Sequence, residues 1–119
     1  MDKQKKLVDK IIEGIQEKKG KDIVIADLTP IDDTICNYFI VCQGNSPSHL
    51  EALAQSIAYT VHRDLNEKPV AVDGFRNAEW IAIDYVDVMV HVFLPERHDF
   101  YNIENLWADA QLTQIPNID

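Results

Sequence analysis

Apolar and polar positions along the chain divide it into segments of distinct period. From about Lys3 to Lys18, Leu7, Val8, Ile11, Ile12 and Ile15 recur at helical spacing, and Gly20 is a plausible stop. Asp22–Leu28 then alternates as a strand does, closed by Thr29-Pro30. Tyr38–Gln43 is apolar on both faces, the pattern of a central strand covered on both sides. Gly44-Asn45-Ser46 ends it, and Ser46 is placed to cap a helix whose first position is Pro47, where the missing N–H costs nothing. That helix carries an apolar stripe of Leu50, Leu53, Ala54, Ile57, Ala58, Val61 and Leu65. Pro69–Asp73, Trp80–Tyr85 and Val88–Leu94 read as three further strands, the last two joined by a tight connection at Val86-Asp87. A final helix is expected from about Asp99 to Leu112, burying Phe100, Ile103, Leu106, Trp107 and Ala110.

The order α-β-β-α-β-β-β-α is not a regular βαβ alternation. It predicts an α/β (α+β) fold, with a mixed parallel and antiparallel sheet of about five strands and flanking helices. The length of 119 residues and the 46% hydrophobic content suit one core. No repeat or linker divides the chain, so a single domain is expected over 1–113, with a short polar tail over 114–119.

Composition removes several function classes. No apolar run approaches the ~18 residues of a membrane span, and the start Met-Asp-Lys-Gln-Lys-Lys is unlike a secretory signal, so a cytoplasmic location is expected. Cys36 and Cys42, on one extended strand, would lie ~20 Å apart, beyond disulfide reach. They read as buried, reduced thiols. Charge is unevenly placed: residues 1–21 hold seven Lys and four acids, whereas 22–119 hold four basic residues and sixteen acids, giving the chain a net −9. A body this acidic repels a phosphate backbone and favours a basic protein partner, although acidity also simply keeps a small protein soluble.

Catalytic groups are hard to assemble. Gly44-Asn45-Ser46 at a strand-to-helix junction could cradle phosphate with backbone N–H groups, as in a nucleotidyltransferase-like enzyme. The paired carboxylates that such an enzyme needs for metal ions are missing: no Asp-x-Asp or Asp-x-Glu occurs in the body, and Asp84 and Asp87 have the wrong parity for one strand face. Ser46, His49 or His91, and Asp84 lack a nucleophile turn. His91, alternating with Met89 and Phe93, reads as a hydrogen-bonded strand histidine. No cofactor or metal is expected. What remains suits an interface: Trp80, Tyr85 and Tyr101 are amphipathic aromatics near Glu79, Asp84, Asp87 and Asp99, and aromatic anchors ringed by acids fit an Arg/Lys-rich partner. Trp107 reads as core; for Trp80 and Tyr101 core and contact are both open.

The tract Asn37 to Ser46 with Ser48, His49 and Ala52 is similar to the first block of the ribosomal silencing factor (Iojap) family. Gly74 with Trp80-Ile81-Ala82-Ile83-Asp84-Tyr85 resembles its second block, and Asp87 to Phe93 its third. Arg97 with Phe100 to Ala110 resembles its closing helix. The resemblance covers about residues 7–112. It departs at three positions: Asn37 where the family usually has Asp, Asp73 where it has Glu, and Val86 where it has Gly, from which a different turn is expected there.

The resemblance implies a fold like that of nucleotidyltransferases without their catalytic carboxylates. It implies binding to a basic protein of the large ribosomal subunit at the surface where the small subunit docks. The bound factor would block subunit joining and slow translation, with a link to large-subunit assembly, and would be a homodimer when free. The contacts expected are Trp80, Asp84, Tyr85, Asp87 and Tyr101, supported by Glu79 and Asp99. The alternative is a nucleotidyltransferase-like enzyme or nucleotide-binding protein using Gly44-Asn45-Ser46; a dimeric scaffold for an unrelated basic partner is a third reading.

Overall fold

Local sequence chemistry sets the central elements of the computed structural model, which describes residues 3–29, 37–74, 79–95 and 111–117. Helix α1 spans Lys3–Glu17 and strand β1 Lys21–Asp27. Strand β2, Tyr38–Gln43, is buried at every position but the last, as a both-sides-apolar run should be. Helix α2 runs from Pro47 to Leu65. The Ser46 side chain accepts a hydrogen bond from the His49 N–H, and Asn66 closes the helix in the left-handed region. Strands β3 (Ala71–Asp73), β4 (Trp80–Asp84), β5 (Val88–Phe93) and β6 (Gln111–Ile115) complete the order.

The strands form one sheet in the order β3-β4-β5-β2-β1-β6. Among the described residues only β2 and β5 pair in parallel; the other four ladders are antiparallel. The mixed α+β sheet is thus as the pattern predicts, with six strands among the described residues instead of about five. The extra one is β6. Gln111 and Leu112, expected at the end of a helix, and Gln114 and Ile115, expected in a tail, lie instead in a strand antiparallel to β1, with Ile115 opposite Ile23 and Gln111 opposite Asp27. The rest of the expected last helix, including Trp107, lies outside the described residues.

Both described helices cover one face. Leu7, Val8, Ile11 and Ile15 of α1 and Leu50, Leu53, Ala54, Ile57 and Val61 of α2 form one core with Ile40, Cys42, Ile81, Ile83, Val88, Val90 and Val92. The helices approach closely at Gly14, whose carbonyl accepts a buried 2.8 Å hydrogen bond from Ser56 Oγ. The opposite face carries a second buried group, Ala26, Leu28, Phe39, Val41 and Phe93. Cys42 is buried and unpaired, and burial pushes its thiol up to about 12, which leaves it protonated and unreactive; Cys36 lies outside the described residues. No described helix is long and apolar enough to cross a membrane.

Candidate partner-docking rim

Strand β4 and the turn after it place most of the candidate contacts, and they separate them. Glu79 and Trp80 sit at the start of β4; Asp84, Tyr85 and Asp87 sit at its end and in the turn to β5. At ~3.3 Å per residue, Trp80 and Asp84 are roughly 13 Å apart, so these candidates occupy two ends of one strand. Asp99 and Tyr101 lie outside the described residues.

At the first end, Trp80 is half-buried and occupied within the protein. Its indole Nε1–H donates to His91 Nδ1 at 2.8 Å, and its ring packs on Phe93 with centroids 5.1 Å apart. An indole can only donate, so Nδ1 accepts and the imidazole proton sits on Nε2, which is buried without a partner. Phe39 stacks on the same ring at 4.4 Å. Burial pushes His91 down to about 4, so it is neutral at pH 7. His91 is therefore the hydrogen-bonded strand histidine that alternation predicts. Gly74 closes this end with φ +95; a Cβ there would run into the Trp80 carbonyl oxygen. Glu79 is exposed, and its carbonyl accepts from the Leu94 N–H at 3.0 Å.

The second end is a tight acidic turn. Val86 has φ +75, and the Asp87 N–H donates to the Tyr85 carbonyl two residues back at 3.0 Å, the pattern of a strained γ-turn. Glycine's absence was expected to change this turn; instead the valine is held on the side of φ that glycine favours. Three further bonds explain why. Asp84 Oδ1 accepts from the Val86 N–H at 2.7 Å, the Tyr85 N–H donates to the Val88 carbonyl at 2.9 Å, and the Asp87 carbonyl accepts from the Asn37 N–H at 2.8 Å. Together they over-determine the backbone. Replacing Val86, which is 57% exposed and so packs little, by glycine should stabilise the protein by about 1 kcal/mol. Relief of ~1–3 kcal/mol of strain exceeds the ~0.5–1 kcal/mol that glycine loses to unfolded-state entropy. Urea melts of Val86→Gly would check this, and a destabilised variant would show that the turn is not strained.

Asp84 thus holds the turn through one carboxylate oxygen, whereas the Asp87 side chain is exposed and projects from it. Tyr85 is only 7% exposed, so most of its ring is core. Two neighbours were not legible as site residues. Glu67, beyond the end of α2, lines a small cavity with Gln4, Leu7, Tyr85 and Asp87. Asn37, where the resembling family usually has Asp, donates from Nδ2 to Gln4 Oε1 at 2.9 Å and ties α1 to the rim. Nothing near Glu67 in sequence marks it; only the fold returns the chain after α2 to the β4–β5 turn.

The Gly44-Asn45-Ser46 turn is internally engaged. The Gly44 N–H donates to the Phe93 carbonyl at 2.9 Å, and the Asn45 N–H donates to His49 Nδ1 at 2.8 Å. Since Nδ1 accepts, His49 Nε2 carries the proton and donates to the Lys18 carbonyl at 2.7 Å. His49 is thus a bracket between the end of α1 and the start of α2. The Gly44 and Asn45 N–H groups are thus already engaged and not free for a phosphate, and among the described residues no group of three His, Cys, Asp or Glu could hold a metal ion beside the turn.

Comparison with known proteins fits this geometry to a family. The model of a family described as ribosomal silencing factor during starvation matches residues 1–119. The ribosomal silencing factor RsfS of Bacillus subtilis is 32% identical over 115 residues, covering 94% of this chain and 93% of its own. The mouse protein named mitochondrial assembly of ribosomal large subunit protein 1 is 25% identical over 114 residues, 91% of this chain and 50% of its own. A crystal structure of a Chromobacterium violaceum protein superposes with a TM-score of 0.82 at 31% identity, covering 98% of this chain and 94% of that one.

Proposed function

The chain belongs to the ribosomal silencing factor family, and from that membership we propose that it binds a basic protein of the large ribosomal subunit and blocks joining of the small subunit. The mechanism is occupancy: a factor seated on the bridge surface excludes the small subunit sterically and represses translation, with no bond made or broken. The reading supposes a non-enzymatic protein without cofactor, working in the cytoplasm, homodimeric when free. A part in assembly of the large subunit is in keeping with the name of the mouse relative. The observation that carries the docking reading is the acidic rim, where Glu67, Asp84 and Asp87 gather around Tyr85 in a body of strongly negative charge. Neither Glu67 nor Asp87 is ion-paired among the described residues. Such a rim would speed encounter with a basic surface and set its register.

Purified subunits sedimented with saturating protein are expected to stay separate; full ribosomes forming under those conditions would defeat the proposal. Asp87→Lys should weaken large-subunit binding about tenfold, roughly 1.4 kcal/mol, with an unchanged melting curve, because its side chain supports nothing else. Asp84 is better tested as Asp84→Asn, which keeps an acceptor for the Val86 N–H while removing the charge. Calorimetry with nucleoside triphosphate and magnesium should give no heat; saturable heat would favour the nucleotide-binding alternative at Gly44-Asn45-Ser46.

A further inference from the structure

Tyr85 presents an unsatisfied donor and acceptor at the bottom of the acidic rim. The residue is 7% exposed and its hydroxyl is buried with no hydrogen-bond partner. A phenol left so would ordinarily be replaced by an apolar ring or find a partner, since burying an unpaired hydroxyl costs ~1–3 kcal/mol. The ring lines a cavity of about 50 Å³ with Gln4, Leu7, Glu67 and Asp87. Burial, and secondarily the field of the Glu67 carboxylate, push the phenol up to about 12, so the hydroxyl stays protonated and lies within reach of that carboxylate's charge. The cavity is walled by the apolar Leu7 side chain and the Tyr85 ring, and by the polar side chains of Gln4, Glu67 and Asp87.

Size and chemistry select the occupant. One water needs ~10–15 Å³ by this measure, so about 50 Å³ takes three or four water-sized groups, the size of a guanidinium. A guanidinium offers five N–H donors in a fixed plane, enough to reach a phenol oxygen and two carboxylates at once. It is also less strongly hydrated than an ammonium and so loses less on entering. We infer that the cavity between Glu67, Tyr85 and Asp87 is an anchor pocket for one arginine side chain of the partner protein, in which Glu67 and Asp87 balance the guanidinium charge and Tyr85 Oη, closed to solvent in the free protein, shifts to accept from it. The inference rests on the docking reading above and specifies it: one arginine, inserted at the β4–β5 turn, would fix how the partner is seated.

The test is a nuclear magnetic resonance titration of the full chain with N-acetyl-arginine amide, taken to tens of millimolar. Saturable amide shifts are expected at Gln4, Glu67, Tyr85 and Asp87. Binding should be at least threefold weaker in Tyr85→Phe and tenfold weaker in Glu67→Gln, and N-acetyl-lysine amide should bind at least threefold more weakly than the arginine probe. Tyr85→Phe removes an unpartnered hydroxyl, so it should fold at least as stably as the parent, and its dispersed spectrum verifies that in the same experiment. Absent or non-saturating shifts, shifts centred elsewhere, equal binding by both variants, or equal binding of the lysine probe would each overturn the assignment. Co-pelleting of the unaltered chain with large subunits reports on the docking reading separately. If the chain does not pellet, that reading fails whatever the titration shows; if it pellets and the titration is blank, only the pocket fails.

Discussion

Lowering the pH from 7.0 to 4.5 should remove roughly 2–3 kcal/mol of folding stability through His91 alone. Its folded value is pushed down to about 4 from the ordinary 6.5, chiefly by burial. The native state therefore stays neutral while the unfolded chain takes up a proton as pH falls below 6.5. Stability is full above that value, declines through the window from 6.5 to 4, and loses nothing more from this group below 4. The hydrogen bond explains why the native state resists. Protonation would place a hydrogen on Nδ1 facing the Trp80 Nε1–H, two donors at 2.8 Å with no acceptor between them. Asp64, whose carboxyl is held low by Arg63 first and Lys10 second, also loses stability on acidification, but from an ordinary value near 3.8, so its loss falls below about pH 4 and does not overlap. Urea melts across this range would measure the slope, and His91→Phe should flatten it even though the variant starts lower at pH 7 for want of a Trp80 acceptor. An unchanged slope in the variant would show that another group carries the acid sensitivity.

Gly14→Leu should be the most damaging substitution in the helical layer, at roughly 4 kcal/mol. A Cβ at Gly14 would stand 2.8 Å from Ile57 Cα and 3.0 Å from the Ser56 carbonyl oxygen, both backbone atoms that cannot rotate away. The two helices must separate, and with that the buried Ser56 Oγ–Gly14 O bond of 2.8 Å is lost. For a domain whose whole stability is of the order of 5–15 kcal/mol, such a variant should be largely unfolded near body temperature. Gly14→Ala offers a graded control at about 1–2 kcal/mol, because the better helix propensity of alanine offsets part of the clash. Thermal melts of both decide it. A melting temperature for Gly14→Leu within about 3 °C of the parent would mean the helices have room that the structure does not show.

Why some of this was legible in the sequence and some was not follows from how local each signal is. Strand β2 and helix α2 were readable to their bounds, since an unbroken apolar run, a Ser cap and a Pro at the first turn act within a few residues. Strand β6 was not. Gln-Leu-Thr-Gln-Ile is exposed at four of its five positions, so no alternation of burial marks it, and only its distant pairing with β1 makes it a strand. β3 is shorter than its apolar start suggested; Val70, expected within it, is 65% exposed and donates only to the Asp84 carbonyl. At the rim, closeness in sequence suggested one cluster of Trp80, Asp84, Tyr85 and Asp87, whereas an extended strand holds its two ends apart. The members that complete the rim, Gln4 and Glu67, come from elsewhere in the chain and carry no mark of their own. Val86 was read from intrinsic preference, which a set of local hydrogen bonds overrode.

The single parallel ladder between β2 and β5 has a kinetic consequence. The β1–β2 and β4–β5 pairs can each form from near neighbours, but the ladder that joins them sets Tyr38 against Val88 and Gln43 against Phe93, across the whole of α2 and β3. Closing a loop of that length must precede any gain from its contacts. Folding should therefore proceed by docking of two preformed halves, with the encounter of β2 and β5 as the slow event. Substitutions at that seam would then slow folding, whereas those in β3 or β6, which join at the outer edges, would mainly speed unfolding.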